Sequence, residues 1–276
     1  MYEFSDLELK RICEIFSNRN VVITGTHVVY AKKAEGWFHG EDYVNKDAIY
    51  PFVRDLSFLC RQIAKVAYHS EEFGQIDVVA GPTVGGVGLS QWTASKLMEM
   101  QSEEFDILAV FADEVDVIET KEITIRDLAD AGLIFDLTAS GKVRVTIDVE
   151  AKLQKIEYQH KVGTQRALKR GYDSLVKGKR CLLAEDVVNS GITVMKTAKA
   201  IREAGGIVVG VIALCDRGGG KNTAEKLGVP YYFSLFNVNM EMFPEDTCQI
   251  CAEKGPESVR TDIGKGAEFL QRKGLK

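Results

Sequence analysis

Cys181-Leu182-Leu183-Ala184-Glu185-Asp186-Val187-Val188-Asn189-Ser190-Gly191-Ile192-Thr193 is the stretch whose reading decides the fold. Four apolar residues predict a buried strand, and that strand delivers two adjacent carboxylates to its carboxyl end. A turn of amide, hydroxyl and glycine residues then leads into a helical pattern carrying Val194, Met195, Ala198 and Ile201. Helix N-termini expose unpaired N–H groups and a partial positive charge, so Asn189, Ser190, Gly191, Ile192 and Thr193 can cradle a phosphate. Glu185 and Asp186 would repel that phosphate, which makes sugar hydroxyls or a bound Mg²⁺ their natural partners. The plainer alternative is an acidic pair that merely caps the turn.

On either side of this segment, strands and helices alternate. Ser5 and Glu8 form a capping box ahead of Leu9, Ile12, Cys13 and Phe16 at helical spacing. Pro51 opens a helix with the stripe Phe52, Leu56, Leu59, Ile63 and Val66. Strands are expected at Val21–Thr24, Ile76–Ala80, Ile107–Phe111, Cys181–Ala184, Ile207–Leu214 and Val229–Phe233. The helix after the key segment should stop at Gly205-Gly206. Continuous apolar strands separated by helices imply an α/β fold with a central parallel sheet covered on both faces. The interval 115–179 breaks the alternation. It reads as a hairpin, Gly132–Phe135 with Val143–Val149 around Ala139-Ser140-Gly141, followed by a basic stretch. The expected organisation is an N-terminal segment 1–50, a first half-core 51–114, an inserted hairpin and flap 115–179, a second half-core 180–235 and a tail 236–276.

Composition narrows the function. With 45% hydrophobic and 27% charged residues over 276 positions, the chain matches an ordinary globular protein. Its 35 Lys and Arg against 40 Asp and Glu leave a formal charge of −5, which argues against generic nucleic-acid binding. No secretory signal or membrane-length apolar run is visible, and six dilute cysteines do not make a disulfide scaffold. A cytoplasmic location is the resulting expectation. No P-loop, His-Glu-x-x-His or Gly-x-Ser-x-Gly pattern is present.

The key segment closely resembles the phosphoribosyl pyrophosphate (PRPP) signature of type I phosphoribosyltransferases. Val21 to His27 followed by Tyr43-Val44-Asn45-Lys46 is similar to the N-terminal hood of the orotate enzymes of that family. Gly81-Pro82-Thr83-Val84-Gly85-Gly86 resembles their pyrophosphate loop, and Cys215-Asp216-Arg217 the strand end where they place a base-recognising arginine. The resemblance implies the family's fold, with a hood built from both chain ends and an inserted flap. It implies ribose 5-phosphate on Asn189 to Thr193, Glu185 and Asp186 at the ribose hydroxyls as catalytic carboxylates, and pyrophosphate with its Mg²⁺ near Thr83, Val84, Gly85 and Gly86. It also implies Arg217, Lys46 and Tyr43 at the base, and a homodimer acting on small molecules with neither membrane nor nucleic acid. Transfer of phosphoribose to orotate is the first candidate. A purine acceptor and a PRPP-sensing regulator without activity are the alternatives.

The chain also departs from the family. Phe111-Ala112-Asp113-Glu114 is acidic where a cationic loop is usual, and the nearest cationic cluster lies far downstream at His160, Lys161, Arg166, Lys169 and Arg170. Lys161 and Arg170 are therefore candidates for the pyrophosphate, against the simpler reading of a solvated basic helix face. Arg217 could instead pair with the adjacent Asp216, and Lys46 and Tyr43 could be merely solvated. Cys248-x-x-Cys251 has no second Cys or His pair nearby in sequence, so it reads as a structural pair, with an intermolecular metal site as the alternative.

Overall fold

The computed structural model describes residues 2–32, 35–101, 106–124, 143–148 and 153–275. Helix α1 (Asp6–Asn18) starts on the expected capping box, with Ser5 Oγ accepting from the Glu8 N–H and Glu8 Oε2 accepting from the Ser5 N–H at 2.9 Å. Four short strands follow: β1 (Val22–Ile23), β2 (Val28–Val29), β3 (Phe38–Gly40) and β4 (Tyr43–Val44). β1 pairs antiparallel with β4, while β2 and β3 share a sheet with β12 (Phe243–Pro244). The hood therefore draws on both ends of the chain.

The chain divides into a larger unit, Met1–Asp113 with Leu168–Lys276, and a smaller one, Glu114–Ala167. The larger unit contains α2 (Val53–His69), β5 (Val78–Pro82), α3 (Gly85–Met98) and the start of β6 (Leu108–Thr124). After the smaller unit come α4 (Tyr172–Val176), β9 (Arg180–Val188), α5 (Ile192–Glu203), β10 (Ile207–Asp216), α6 (Ala224–Leu227) and β11 (Tyr232–Asn237). Helices α7 (Gln249–Lys254) and α8 (Gly266–Lys273) close the chain. The central strands run in the order β11-β10-β9-β5-β6, every neighbouring pair parallel.

These strands are apolar at nearly every position because alternate residues enter different cores. Val79, Leu182, Ala184, Ile212 and Leu214 join one cluster with Leu59 and Ile63 of α2. Val78, Ala80, Leu183, Val211 and Ala213 join the other with Val194, Ala198 and Ile201 of α5. The strand order reverses between β5 and β9, and in open α/β sheets the crevice outside such a switch point is where ligands bind.

Several boundaries differ from the sequence reading. Strand β9 continues through Glu185 and Asp186 to Val188, so the doublet lies within the strand, and β11 starts after Pro230. Helix α2 begins at Val53, two residues after Pro51. Strand β6 does not end at the acidic stretch. It runs through Asp113 and Glu114 into the smaller unit, where β8 (Leu153–Leu168) neighbours it and β7 (Val143–Asp148) pairs antiparallel with β8. The basic helix face is corrected too: Arg166 belongs to strand β8, and Arg170 has φ +62° in the turn after it. Opposite charges account for this ladder. Lys161 Nζ lies 2.6 Å from Asp116 and Arg166 Nη2 3.9 Å from Glu114, as cross-strand ion pairs favour. The expected Gly132–Phe135 strand and its turn lie outside the described residues. Among the described residues no helix is long and apolar enough to cross a membrane.

Helices α1 and α2 are joined by Asp55, buried at 3% exposure, which accepts from Arg11 Nη2 at 2.6 Å and Arg19 Nε at 2.7 Å. Both arginines are partly solvated, which weakens each bond. Asp55→Ala should lower stability by about 1–3 kcal/mol, seen as a lower urea midpoint with unchanged slope.

Candidate functional site

Strand β9 is paired on both sides, but β5 follows it only as far as Ala80 opposite Leu183. Beyond that point the chain after β5 turns away as the Thr83–Gly86 loop, anchored by the Thr83 N–H donating to Ala112 O at 2.9 Å; the Thr83–Val84 peptide is cis. Asp186, 5% exposed, occupies the gap. Its Oδ2 accepts from Lys46 Nζ at 2.9 Å and Tyr50 OH at 3.2 Å, and its Oδ1 accepts from the Val187 N–H at 2.6 Å. The loop comes so close that a Cβ on Gly85 would fall 1.9 Å from Asp186 Oδ2, and only glycine allows that approach. The acidic doublet and the candidate pyrophosphate loop thus touch.

Burial dominates the titration of this group. It pushes the Glu185 carboxyl well above 4.5, and the Asp186 charge adds to the shift. Glu185 Oε1 accepts from the Asp186 N–H at 3.2 Å, whereas its Oε2 is buried with no hydrogen-bond partner. Tyr50 is raised by burial and then by Asp186. For Lys46, burial acts to lower the pKa, but the Asp186 carboxylate outweighs it and the ammonium is held.

The candidate phosphate turn has the form of a cradle. Gly191 has φ +84°, and a Cβ there would meet Leu227 Cδ2 at 2.1 Å, so both backbone and space require glycine. No side chain caps the N-terminus of α5, which leaves its first N–H groups available. Asn189, Ser190 and Ile192 line an adjoining cleft of ≈ 820 Å³ together with Tyr43 and Arg217. Gly191 is buried behind the turn against Leu227, and Thr193, half-buried, accepts from Thr197 Oγ1 through its carbonyl at 2.8 Å. The turn is held by Asn222, which donates to Asn189 O at 2.8 Å and Asp216 Oδ1 at 2.9 Å.

Arg217 follows β10, its guanidinium carbon 5.7 Å from the Tyr30 ring centroid. Asp216 does not engage it as an ion pair; that carboxylate accepts instead from Asn222, the Gly218 N–H at 2.6 Å and Tyr232 OH at 2.8 Å. Lys46 goes to Asp186 rather than to the cleft, and Arg170 pairs with Asp113 while lying 5.0 Å from the Phe111 ring. Lys161 pairs with Asp116 inside the smaller unit. The acidic stretch and the basic stretch, read separately in the sequence, are each other's partners.

Sequence reasoning missed much of the cleft. Lys32, Lys221, Lys226 and Lys265 join Arg217 along it, with Glu35 the carboxylate among its lining side chains. A chain of charge −5 thus gathers five cations around one cavity, a field suited to a polyanion. Only Lys221, after the glycine run 218–220, carried a local hint. Tyr30, Tyr50 and Asn222 gave no pattern.

Comparison with known proteins bears on this arrangement. A family model described as phosphoribosyl transferase domain matches residues 53–246. The orotate phosphoribosyltransferase of Caldanaerobacter subterraneus subsp. tengcongensis is 23% identical over 252 residues, spanning 91% of this chain and 95% of that protein. The Thermus thermophilus orotate phosphoribosyltransferase is 39% identical over 79 residues, 29% of this chain and 41% of that one. Among solved structures, the Mycobacterium tuberculosis H37Rv orotate phosphoribosyltransferase in complex with PRPP has a TM-score of 0.45 at 16% identity, covering 83% of this chain and 95% of that one. That of Aeropyrum pernix has a TM-score of 0.47 at 13% identity, covering 82% and 93%.

A buried carboxyl with a raised pKa stabilises the fold below 4.5, and that contribution is lost as pH rises towards the folded-state value. Glu185→Gln removes the dependence. Thermal midpoints of the two proteins should therefore converge at and below pH 4.5, with the variant increasingly the more stable as pH rises above it. Parallel curves would contradict the buried neutral acid.

Proposed function

Because the chain belongs to the phosphoribosyl transferase domain family, we propose that its cleft binds PRPP and an orotate-type base and transfers the phosphoribosyl group between them. Family membership makes it a pentosyltransferase; orotate as the acceptor is our reading. The observation that carries it is the cleft itself, where Asn189, Ser190 and Ile192 of the phosphate turn meet Arg217, Tyr43 and four lysines. The 5-phosphate would accept from the free N–H groups at the start of α5 and from Asn189 and Ser190. Arg217 offers a planar fork matched to a carboxylate, and orotate carries one. Tyr30 and Tyr43 would give the base an aromatic face.

In the reaction, a ring nitrogen of the base bonds to C1 of the ribose as the C1–O bond to pyrophosphate breaks. Pyrophosphate leaves with the electron pair, and the nitrogen's proton passes to solvent. Positive charge builds on the ribose at the transition state, and preorganised carboxylates stabilise it. Asp186 suits that role because Lys46, Tyr50 and the Val187 N–H already fix its orientation. The Thr83–Gly86 loop, against Asp186 through Gly85, would receive the pyrophosphate on backbone N–H groups. The carboxylate of Asp186 is a hard oxygen donor of the kind Mg²⁺ takes, together with substrate oxygens. When bound, Mg²⁺ supplies neutralisation of the leaving pyrophosphate's charge.

Pyrophosphate release from PRPP and Mg²⁺ should require a base, with orotate the most effective of orotate, uracil, adenine, guanine and hypoxanthine. Preference for a purine would overturn the orotate assignment, and no release with any base would overturn the transfer reading. Asp186→Asn keeps the shape but removes the charge. It should cut turnover by roughly 10–100-fold, the equivalent of about 1.5–3 kcal/mol, with circular dichroism unchanged. Near-wild-type turnover would remove Asp186 from the site.

A further inference from the structure

We propose that His27, His39, Cys248 and Cys251 form a closed tetrahedral site for one structural metal ion, zinc by the chemistry of its ligands. The four side chains come from segments more than two hundred residues apart, and their ligand atoms all lie within 4.8 Å of one another. His27 precedes β2, His39 lies in β3, and the two cysteines flank the first turn of α7. All are buried except Cys251, which is half-buried.

Three of the six ligand–ligand distances match the edges of an ion-centred tetrahedron. Zn–S bonds of about 2.3 Å and Zn–N bonds of about 2.0–2.1 Å imply S···N edges near 3.5 Å. Observed are Cys248 Sγ to His27 Nε2 at 3.7 Å, Cys251 Sγ to His27 Nε2 at 3.6 Å and Cys251 Sγ to His39 Nδ1 at 3.4 Å. The Cys251 N–H donates to Cys248 Sγ at 3.4 Å, which fixes that sulfur at the start of α7.

Hydrogen bonding on the outer side of His27 gives a second, independent argument. Ser258 Oγ has one proton, donated to Gly255 O at 2.6 Å, so toward His27 Nδ1, 2.7 Å away, it can only accept. Nδ1 of His27 therefore carries the ring proton, and Nε2 presents a lone pair to the cluster. His39 Nε2 lies 3.6 Å from Glu245 Oε2, beyond hydrogen-bond distance and without another partner among the described residues, while its Nδ1 faces the cluster 2.9 Å from His27 Nε2 with two sulfurs alongside. A cation among these four atoms would take the His27 lone pair and, once His39 carries its proton on Nε2, that of His39 as well. Two thiolates balance a divalent charge, so the loaded site is neutral and burial carries little electrostatic cost. Thiolate and imidazole favour zinc over magnesium, and four protein ligands leave no open position for catalysis.

The site pins α7 to the sheet β2-β3-β12. From that sheet Tyr30 and Lys265 reach the substrate cleft, Lys265 through its N–H to Val29 O at 2.8 Å. It is distinct from the transferase site and stands or falls separately. Mass-spectrometric metal analysis of the purified full chain, refolded with Zn²⁺ in excess and desalted, should find one zinc per chain. Cobalt loading should give the visible bands of tetrahedral Co²⁺ with thiolate charge transfer. Chelation should lower the wild-type melting point, and added Zn²⁺ should restore it. Ser258→Ala, which touches no metal, should weaken zinc affinity about 10–100-fold by freeing the His27 ring. Cys248→Ser with Cys251→Ser should abolish the cobalt spectrum. Absence of metal after zinc loading, a chelator-insensitive melting point, or a Cys248–Cys251 disulfide in the zinc-loaded protein would each overturn the site.

Discussion

A carboxylate sealed from water has to be paired, and the pairing of Asp186 organises this molecule. Its partners come from three segments: Lys46 and Tyr50 after the hood, the Val187 N–H within β9, and the Gly85 backbone packed against its oxygen. An uncompensated buried charge costs about 3–5 kcal/mol, so these segments hold their places or the strand end does not fold. The same contact brings the candidate pyrophosphate loop to the candidate ribose-binding carboxylates. Hood, loop and sheet are thus joined at the point where the strand order reverses and a ligand crevice must open.

Local patterns made the α/β core legible. Leu182, Leu183 and Ala184 announce a strand covered on both faces, and Ser5 with Glu8 announces a helix start, because both signals are written in neighbouring residues. The turn between β9 and α5, the candidate phosphate cradle, stood out for the same reason. The lysines at 32, 226 and 265 were not, since nothing local distinguishes a cleft lysine from a solvated one. Lys46 was assigned to the base through the resemblance of Tyr43-Val44-Asn45-Lys46 to the family's hood, and the sequence held no sign of its ion pair with the buried Asp186. Long-range pairing cannot be read along a chain.

The basic stretch makes the same point about context. Arg166, Lys169 and Arg170 have helical spacing, but spacing describes a helix only if the backbone adopts one. Strand β6 presents Glu114 and Asp116, and β8 answers with Arg166 and Lys161. Each pair is exposed on at least one side and adds little energy by itself. Their value is in register, because a one-residue slip would move each cation to the wrong face. What looked like a loss of the family's cationic loop is, in this chain, a charge-matched ribbon.

The hood poses a different problem. Val28, Tyr30 and Val44 join the main core, but the separate cluster that ties in the C-terminal segment has, among the described residues, only Val29, Val259 and Phe269 as buried members, a small apolar contribution. Ion pairs reinforce it only at the rim, where Arg272 and Lys273 meet Glu245. Small folds with weak cores are ordinarily completed by a disulfide or a metal. Here the Cys-His cluster sits beside that cluster, with the His39 ring edge-on to Phe269 at 4.8 Å. A metal staple at this position stabilises what the apolar residues cannot, and it fixes the cleft wall on which Tyr30 is carried. Rigidity of that wall would matter for the proposed specificity, because Arg217 would read a planar acceptor only if the ring facing it does not move.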